Sequence, residues 1–297
     1  MLDLVIPARP QAIGTLEVGR VLPFMHRRMV GPFIFLDHIG PIDLPAGIPR
    51  SADVRPHPHI GLATITYLFA GEITHRDSLG YEQVIRPAEV NWMNAGRAIS
   101  HSERFDGLRA SGGRLHGVQA WVALPERDEE GDPGFEHYAT ADMPVLEERG
   151  ISGRLIAGAA LGLTSGVRTR SPLFYLHLAL AQGARMALPA SYPERAVYVI
   201  EGAVEHDGQR YERGQMLVFS PGSEAAVTAL GPAIVLALGG EPLGERHIWW
   251  NFVSSRKERI EQAKADWQAG RIPLPTRDNA EFIPLPEAAP PRPEPLS

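Results

Sequence analysis

The chain has 297 residues, of which 44% are hydrophobic and 22% charged, and a formal net charge of -6 at pH 7. Cysteine is absent, which excludes disulfides, thiolate metal sites and cysteine nucleophiles and leaves His, Asp and Glu as candidate metal ligands. Lysine occurs at positions 257 and 264 only, and the scattered arginines form no basic stripe, so direct binding to nucleic acid is not expected.

The chain shows no membrane signal. No apolar run approaches the roughly 20 residues that a membrane helix needs. The amino terminus, MLDLVIPARP, has an acidic residue at position 3 and no apolar core of a signal peptide. We therefore expect a cytoplasmic protein without a membrane partner.

In chain order, residues 21–235 show short apolar stretches of period two, interrupted by Gly, Pro or Asp-Gly, which predicts an all-β fold. The acidic segment at 124–138 predicts an exposed connection between two domains, 1–135 and 136–297. Helical periodicity appears at 254–270, where Ser254 or Ser255 could cap and Gly270 could close a surface helix. That helix would dock through a narrow face, formed by Ile260, Ala263, Lys264 and Trp267. The proline-rich residues 284–297 predict an extended tail.

An internal repeat is the most informative feature of the sequence. HPHIGLATITYLFAG (57–71) aligns without a gap on LPASYPERAVYVIEG (188–202), and both segments continue as a hairpin and a second Gly turn. The repeat predicts two similar β-domains.

The first copy contains two pairs of candidate metal ligands. His57 and His59 are two residues apart, so on a strand both side chains face the same side. His101 and Glu103 have the same spacing after the later Gly turn. If the two strands are neighbours, three imidazoles and one carboxylate can converge on one divalent transition metal.

The second copy serves as a control for this interpretation. The gapless alignment places Leu188 and Ala190 at the positions of the first histidine pair. Beyond it the first copy has a loop five residues longer, and Val227 and Ala229 then take the positions of His101 and Glu103. All four candidate ligands are thus replaced by apolar residues, although the turn glycines remain. The pattern indicates one metal-binding domain and one that fills the same space with hydrocarbon.

Simpler interpretations exist for single residues. One histidine near a strand is more often a satisfied or exposed side chain than a ligand, and only the matched set of four changes that weighting. His75 and Asp77, also two apart, are expected at the rim or against the ligands rather than on the metal. A metal-free structural protein is disfavoured by the joint loss of the four ligands.

At this point the sequence resembles the pirin family of the cupin superfamily. The resemblance rests on HPHIGLATITYLFAGEITHRDSLG, VNWMNAGRAISHSE, LHGVQAWVALP (115–125) and GEPLGERHIWWNFVSS (240–255), and it spans nearly the whole chain. It implies a bicupin, with two double-stranded β-helix barrels, a carboxy-terminal surface helix and a metal, usually iron, in the first barrel only. Its ligand positions match His57, His59, His101 and Glu103. Ala63 stands where many cupins have a carboxylate ligand, so Glu103 must supply the acid.

The resemblance also implies a function. Some pirins cleave flavonols such as quercetin with dioxygen, so the expectation is a quercetin 2,3-dioxygenase in which Glu103 is both a ligand and the base for the enolic hydroxyl. Fe(II) is favoured, with Mn, Ni, Cu or Zn as other candidates. The alternative is a metal-dependent regulator that acts through protein partners. The residues considered for the pocket of a flat aromatic substrate, with burial in the core as an equal alternative, are Phe33, Phe35, Trp92 and Met93.

Overall fold

Short antiparallel strands dominate the computed structural model, which describes residues 1–287. The strands of the first half of the chain are β1 (Leu2–Pro7), β2 (Arg9–Ile13), β3 (Leu16–Leu22), β4 (Phe33–Leu44), β5 (Val54–His59), β6 (Leu62–Ala70), β7 (Ile73–Asp77), β8 (Glu82–Ile85), β9 (Val90–Asn94), β10 (Ile99–Arg104), β11 (Gly113–Ala123) and β12 (Gly134–Tyr138). A short helix, α1 (Asp106–Ser111), follows β10.

The second half continues in the same way. Its strands are β13 (Val145–Glu148), β14 (Ile151–Ala160), β15 (Leu163–Thr164), β16 (Leu173–Leu180), β17 (Arg185–Ala187), β18 (Glu194–Glu201), β19 (Ala203–His206), β20 (Gln209–Glu212), β21 (Gln215–Phe219), β22 (Ala226–Ala229), β23 (Ala233–Gly240), β24 (His247–Trp249) and β25 (Phe252–Ser254). Helix α2 (Lys257–Gln268) comes last. The predicted all-β class is confirmed.

Contacts divide the chain into two units. The first barrel consists of Pro10–Val18, Phe35–Thr140 and the segment from Leu243 onward. The second barrel consists of Met1–Arg9, Gly19–Ile34 and Ala141–Pro242. This grouping differs from the contiguous division into 1–135 and 136–297, because β1 pairs with β21 of the second barrel and α2 packs within the first.

In the first barrel, the larger sheet has the strand order β12-β9-β6-β11-β4-β3-β2 and the smaller one β5-β10-β7-β8. Leu68 and Leu115 from the larger sheet share one apolar core with Ile73 and Ile85 from the smaller. The two sheets therefore pack face to face at this end. Each fully buried aliphatic side chain of this kind contributes roughly 1.5–3 kcal/mol to folding.

The second barrel repeats this plan. Its sheets have the orders β1-β21-β18-β23-β16-β14-β13, with β15 on β14, and β17-β22-β19-β20. Leu176 and Leu217 of the larger sheet lie in the same apolar core as Met186, Val204 and Val227 of the smaller. The sheets are thus joined by hydrocarbon.

The strand pairing corrects the predicted alignment of the two copies. His57 lies opposite His101 in the first barrel, and Met186 lies opposite Val227 in the second. Met186 and Leu188, which are both buried, are therefore the structural equivalents of His57 and His59. Ala190, placed there by the gapless alignment, is exposed. The conclusion that the second copy is apolar at these positions is unchanged.

Two further predictions differ in detail. Helix α2 starts at Lys257 with no side-chain cap, because Ser254 and Ser255 bond to Glu129 instead. Within 124–138, β12 pairs with β9, so this segment is not the exposed connection that its composition predicts. The predicted buried face of α2 is confirmed, with Ile260, Ala263 and Trp267 buried and Lys264 lying over the ring of Trp249.

None of the helices within residues 1–287 combines the length and the apolar character needed to cross a lipid bilayer. The predicted proline-rich tail falls largely on residues 288–297, which lie outside the described part of the chain.

Candidate metal centre

The candidate ligands lie on two neighbouring antiparallel strands of the first barrel. His57 and His59 are near the end of β5, and His101 on β10 lies directly opposite His57. The pairing shifts after His101, so that Glu103 is opposite Val54. Side chains alternate along a strand, so His101 and Glu103 leave β10 on the same side.

Three imidazoles converge at this point. One ring nitrogen each from His57, His59 and His101 lies within 4.8 Å of the others, and all three residues are buried. The Nε2 atoms of His59 and His101 are 3.1 Å apart. Two nitrogens bound at about 2.1 Å and at right angles to one ion are about 3.0 Å apart, so this spacing suits a six-coordinate metal.

The second nitrogen of each ring on β5 is held by a backbone carbonyl. His57 Nδ1 lies 2.9 Å from the Arg55 carbonyl oxygen, and His59 Nδ1 lies 3.2 Å from that of Asn251. A carbonyl oxygen only accepts hydrogen bonds, so both Nδ1 atoms carry the proton and both Nε2 atoms carry a lone pair. This arrangement is typical of histidines that bind metal through Nε2.

His101 is oriented by a pair of polar side chains on β7. Its Nδ1 lies 3.3 Å from Nδ1 of His75, and Nε2 of His75 lies 2.9 Å from Oδ2 of Asp77. The other carboxylate oxygen of Asp77 accepts the backbone N–H groups of Leu79 and Tyr81. Because the carboxylate accepts, His75 donates through Nε2 and accepts through Nδ1, which leaves the Nε2 lone pair of His101 free for a metal.

Burial keeps the three imidazoles neutral. Desolvation lowers the pKa of His57 to about 4, and the same cause, together with the neighbouring imidazoles, holds the pKa of His59 and His101 well below the usual value. Near pH 7 these rings therefore offer lone pairs without competition from protons.

Glu103 has a different environment. Its carboxyl does not join the three imidazoles within 4.8 Å, although it is the next residue on that side of β10. Burial raises the pKa of Glu103 to about 7, and no hydrogen bond or charge from residues 1–287 offsets this shift. A desolvated carboxylate without a counter-charge is costly, and a bound cation would supply that charge.

The structure therefore groups three of the four predicted ligands and places the fourth beside them, so the complete set stays a prediction. His75 lies against the predicted ligand His101, and Asp77 bonds to the other nitrogen of His75. The four residues considered for the substrate pocket, Phe33, Phe35, Trp92 and Met93, are all buried. The Asn251 carbonyl had no signal in the sequence, because it comes from a segment nearly 200 residues away from His59.

The second barrel offers no such group at the equivalent place. Met186, Leu188, Val227 and Ala229 belong to its apolar core. Val204, which lies opposite Ala229, takes the position of His75, which lies opposite Glu103. The ligands and the histidine that orients His101 are thus lost together.

Comparisons with known proteins find relatives of this chain in both sequence and structure. Residues 15–122 match the sequence family described as Pirin, and residues 175–273 match the Pirin C-terminal cupin domain. A Pirin-like protein of Caulobacter vibrioides is 60% identical over 97% of this chain and 100% of its own length. The crystal structure of quercetin 2,3-dioxygenase from Acinetobacter baumannii has a TM-score of 0.87 at 33% identity, covering 96% of this chain and 95% of that one. A bacterial pirin of Escherichia coli in complex with nickel(II) shares the fold, with a TM-score of 0.62 at 20% identity over 80% of this chain and 99% of its own.

Proposed function

The chain belongs to the pirin family, and on that premise we propose that it is a mononuclear metal enzyme that cleaves flavonol-like substrates with dioxygen. The observation that carries the proposal is the convergence of three neutral imidazoles, each with its second nitrogen occupied elsewhere. In a metal centre the second nitrogen of each histidine is held by another group, which fixes the ring and leaves the other nitrogen with a lone pair for the metal.

The donor set restricts the metal. Three imidazole nitrogens and one carboxylate suit Fe(II), Mn(II), Ni(II), Cu(II) or Zn(II), and affinity alone does not select among them. We assign Fe(II), because the family resemblance favours it. Residues His57, His59 and His101 would hold the ion, with Glu103 as the only anionic ligand.

When bound, the metal supplies Lewis acidity and a site at which substrate and dioxygen meet. The chain supplies the proton transfer. A flavonol must lose its enolic proton before ring cleavage, and Glu103, the acidic residue that follows His101 on the same side of β10, would accept that proton.

Aromatic side chains surround the imidazoles, which suits a reaction that requires the exclusion of water. Trp121 contacts His59 edge-on and stacks on Phe35 at a centroid distance of 4.0 Å. On another side, Phe135 stacks on His75. These aromatic rings hold the imidazoles in fixed planes. The flavonol class itself comes from the named activity of the Acinetobacter structure.

Oxygen consumption with quercetin tests the proposal. The full-length protein, loaded in turn with Fe(II), Mn(II), Ni(II) and Cu(II), should consume dioxygen and release carbon monoxide with at least one metal. His57→Ala should abolish this turnover, whereas His137→Gln should retain it, because His137 bonds Asn91 instead of the site. Bound metal without turnover on any flavonol would overturn the proposed activity and favour the regulatory alternative.

A further inference from the structure

The outer side of β10 is bound by the end of the chain. His101 and Glu103 leave this strand toward the metal centre, whereas Ser100, Ser102 and Arg104 alternate with them on the opposite side. All three of these outward side chains bond to residues 273–283, which we call the strap. The strap thus contacts the strand that carries two of the four predicted ligands.

Asp278 is the centre of these contacts. Its Oδ2 accepts the hydroxyl of Ser102 at 2.6 Å and Nε of Arg104 at 2.6 Å, and its Oδ1 accepts Nη2 of Arg104 at 2.8 Å. This is a two-point Arg–carboxylate pair, the geometry with the most directional control. The side chain of Arg104 is fully buried and pairs also with Asp53 and with Glu281 of the strap, so it cannot leave this position without the loss of ion pairs.

The strap also contacts the second ligand-bearing strand, β5, and helix α2. Ser100 donates its hydroxyl to the carbonyl of Pro273 at 2.5 Å. The backbone N–H of Ile283 donates to the carbonyl of Pro56 on β5, the residue before His57, at 2.8 Å. Trp267 of α2 donates its indole N–H to the carbonyl of Ile283 at 2.9 Å. One segment is therefore fixed to both ligand-bearing strands and anchored on a helix.

The equivalent strand of the second barrel, β22, provides a comparison for the outer side of β10. By the strand pairing, Ala226, Thr228 and Leu230 take the places of Ser100, Ser102 and Arg104. Leu230 is 40% exposed, in contrast to the fully buried arginine. The second barrel keeps a hydroxyl at the position of Ser102, on Thr228, but has no charged side chain at the position of Arg104.

We propose that the strap positions the metal ligands, with Asp278 as the positioning residue that fixes β10 through Ser102 and Arg104. The proposal rests on the proposed metal centre. Backbone shifts of a few tenths of an ångström at His101 and Glu103 alter ligand geometry directly, whereas shifts elsewhere on the surface do not. The strap therefore acts on metal affinity and on the symmetry of the ligand field.

Two variants and a matched control test the strap. Asp278→Asn keeps the shape of the side chain and weakens the pair with Arg104, and Ser102→Ala removes one hydrogen bond without changing any charge. Asp266→Asn is the control, because Asp266 pairs with Arg271 on the same carboxy-terminal segment and contacts neither ligand strand. Each full-length protein is titrated with Co(II), and the visible absorption of the bound ion and the melting temperature of the metal-free form are recorded.

We expect Asp278→Asn to weaken Co(II) binding at least 10-fold and to change the Co(II) spectrum, since partners that orient metal ligands typically account for 10- to 100-fold in affinity. Ser102→Ala should act in the same direction by about 3-fold, and the control should match the wild type. If Asp278→Asn does not fold, Ser102→Ala decides. A lower melting temperature with unchanged affinity and spectrum would overturn the strap alone. A wild type that binds no Co(II) would overturn the metal centre and the strap together.

Discussion

His101 donates a hydrogen bond from its Nδ1 to Nδ1 of His75, 3.3 Å away, and His75 donates its Nε2–H to the carboxylate of Asp77. The direction of this chain of bonds is set by the carboxylate, which can only accept. It determines which nitrogen of His101 carries a lone pair, and so connects a residue outside the ligand set to metal binding.

The first prediction concerns this pair. His75→Phe keeps a flat ring against Phe135 and removes the acceptor for His101. Metal affinity should fall by about 10- to 100-fold with the fold retained, because the imidazole of His101 is then free to rotate and to change its tautomer. Competition with a chromophoric chelator measures the affinity. His137→Gln is the control, and equal affinities in both variants would contradict this role of His75.

The sequence predicted the ligand strands well because the relevant signal is local. Alternation of side chains places His57 with His59, and His101 with Glu103, without knowledge of the fold. The spacing does not determine whether the two strands pair, and the structure shows that they are neighbours.

The misplaced alignment has a physical cause. Between the last ligand-equivalent position and the conserved turn glycine, the second copy, from Leu188 to Gly202, has two more residues than the first, from His59 to Gly71. The extra residues lie in the turn before β18. An alignment without gaps cannot place them there, so it shifts the ligand-equivalent positions by two residues. Strand register depends on hydrogen bonds to a distant partner, and a turn insertion leaves no periodic signal.

Contacts made by the end of the chain were equally invisible in the sequence. Asn251 presents a backbone carbonyl to His59, and any residue type could do so. Asp278 pairs with Arg104 across more than 170 residues. Composition and spacing do not encode such long-range contacts, so neither the return of this segment to the first barrel nor its place beside the ligands could be predicted.

The second prediction follows from the raised pKa of Glu103. In the folded, metal-free protein this carboxyl titrates at about 7, above its ordinary value of 4.5, so the folded state holds a proton that the unfolded state has already lost. Stability should therefore decline as the pH rises through this interval. Glu103→Gln removes the titration, so with a chelator present its melting temperature should exceed that of the wild type at pH 8 and approach it near pH 4.5.

Metal should reverse this order. At pH 8 the saturated wild type gains the full binding energy of the ion, whereas Glu103→Gln lacks the anionic ligand and gains less. Thermal unfolding with and without metal measures both effects. A metal-free Glu103→Gln variant that is less stable than the wild type at pH 8 would show that the carboxylate is not an unpaired charge.

The third prediction concerns the buried anchor of the segment that reaches His59. Glu129 accepts hydrogen bonds from Ser254 and Ser255 and pairs with Arg246, and both charged side chains of that pair are almost fully buried. Glu129→Ala leaves the arginine buried without this partner and should cost about 3–5 kcal/mol in the free energy of unfolding. Urea denaturation measures the cost.

The neighbouring residue provides the control for that experiment. Glu130 pairs with Arg256 and Arg259 while partly exposed to solvent, so Glu130→Ala should cost about 1 kcal/mol or less. Comparable losses in the two variants would mean that burial of the Glu129 pair has no special importance.

The fourth prediction separates the two barrels. Met186→Ala opens a cavity in the apolar core of the second barrel and should lower the free energy of unfolding by about 2–5 kcal/mol. The number of metal ions bound per chain should not change, because this position is the apolar counterpart of His57. Elemental analysis of the purified variant gives that number. Fewer metal ions per chain in the variant than in the wild type would contradict the assignment of the site to the first barrel.

The most direct test of the metal centre is an anomalous scattering map from crystals of the full-length protein grown with a saturating transition metal. We predict one strong peak in each chain, bounded by the imidazoles of His57, His59 and His101 with the Glu103 carboxylate in contact, and no peak beside Met186 or Val227. Crystals at saturating metal that show no peak in the first barrel, or a peak held by other side chains, would contradict the account.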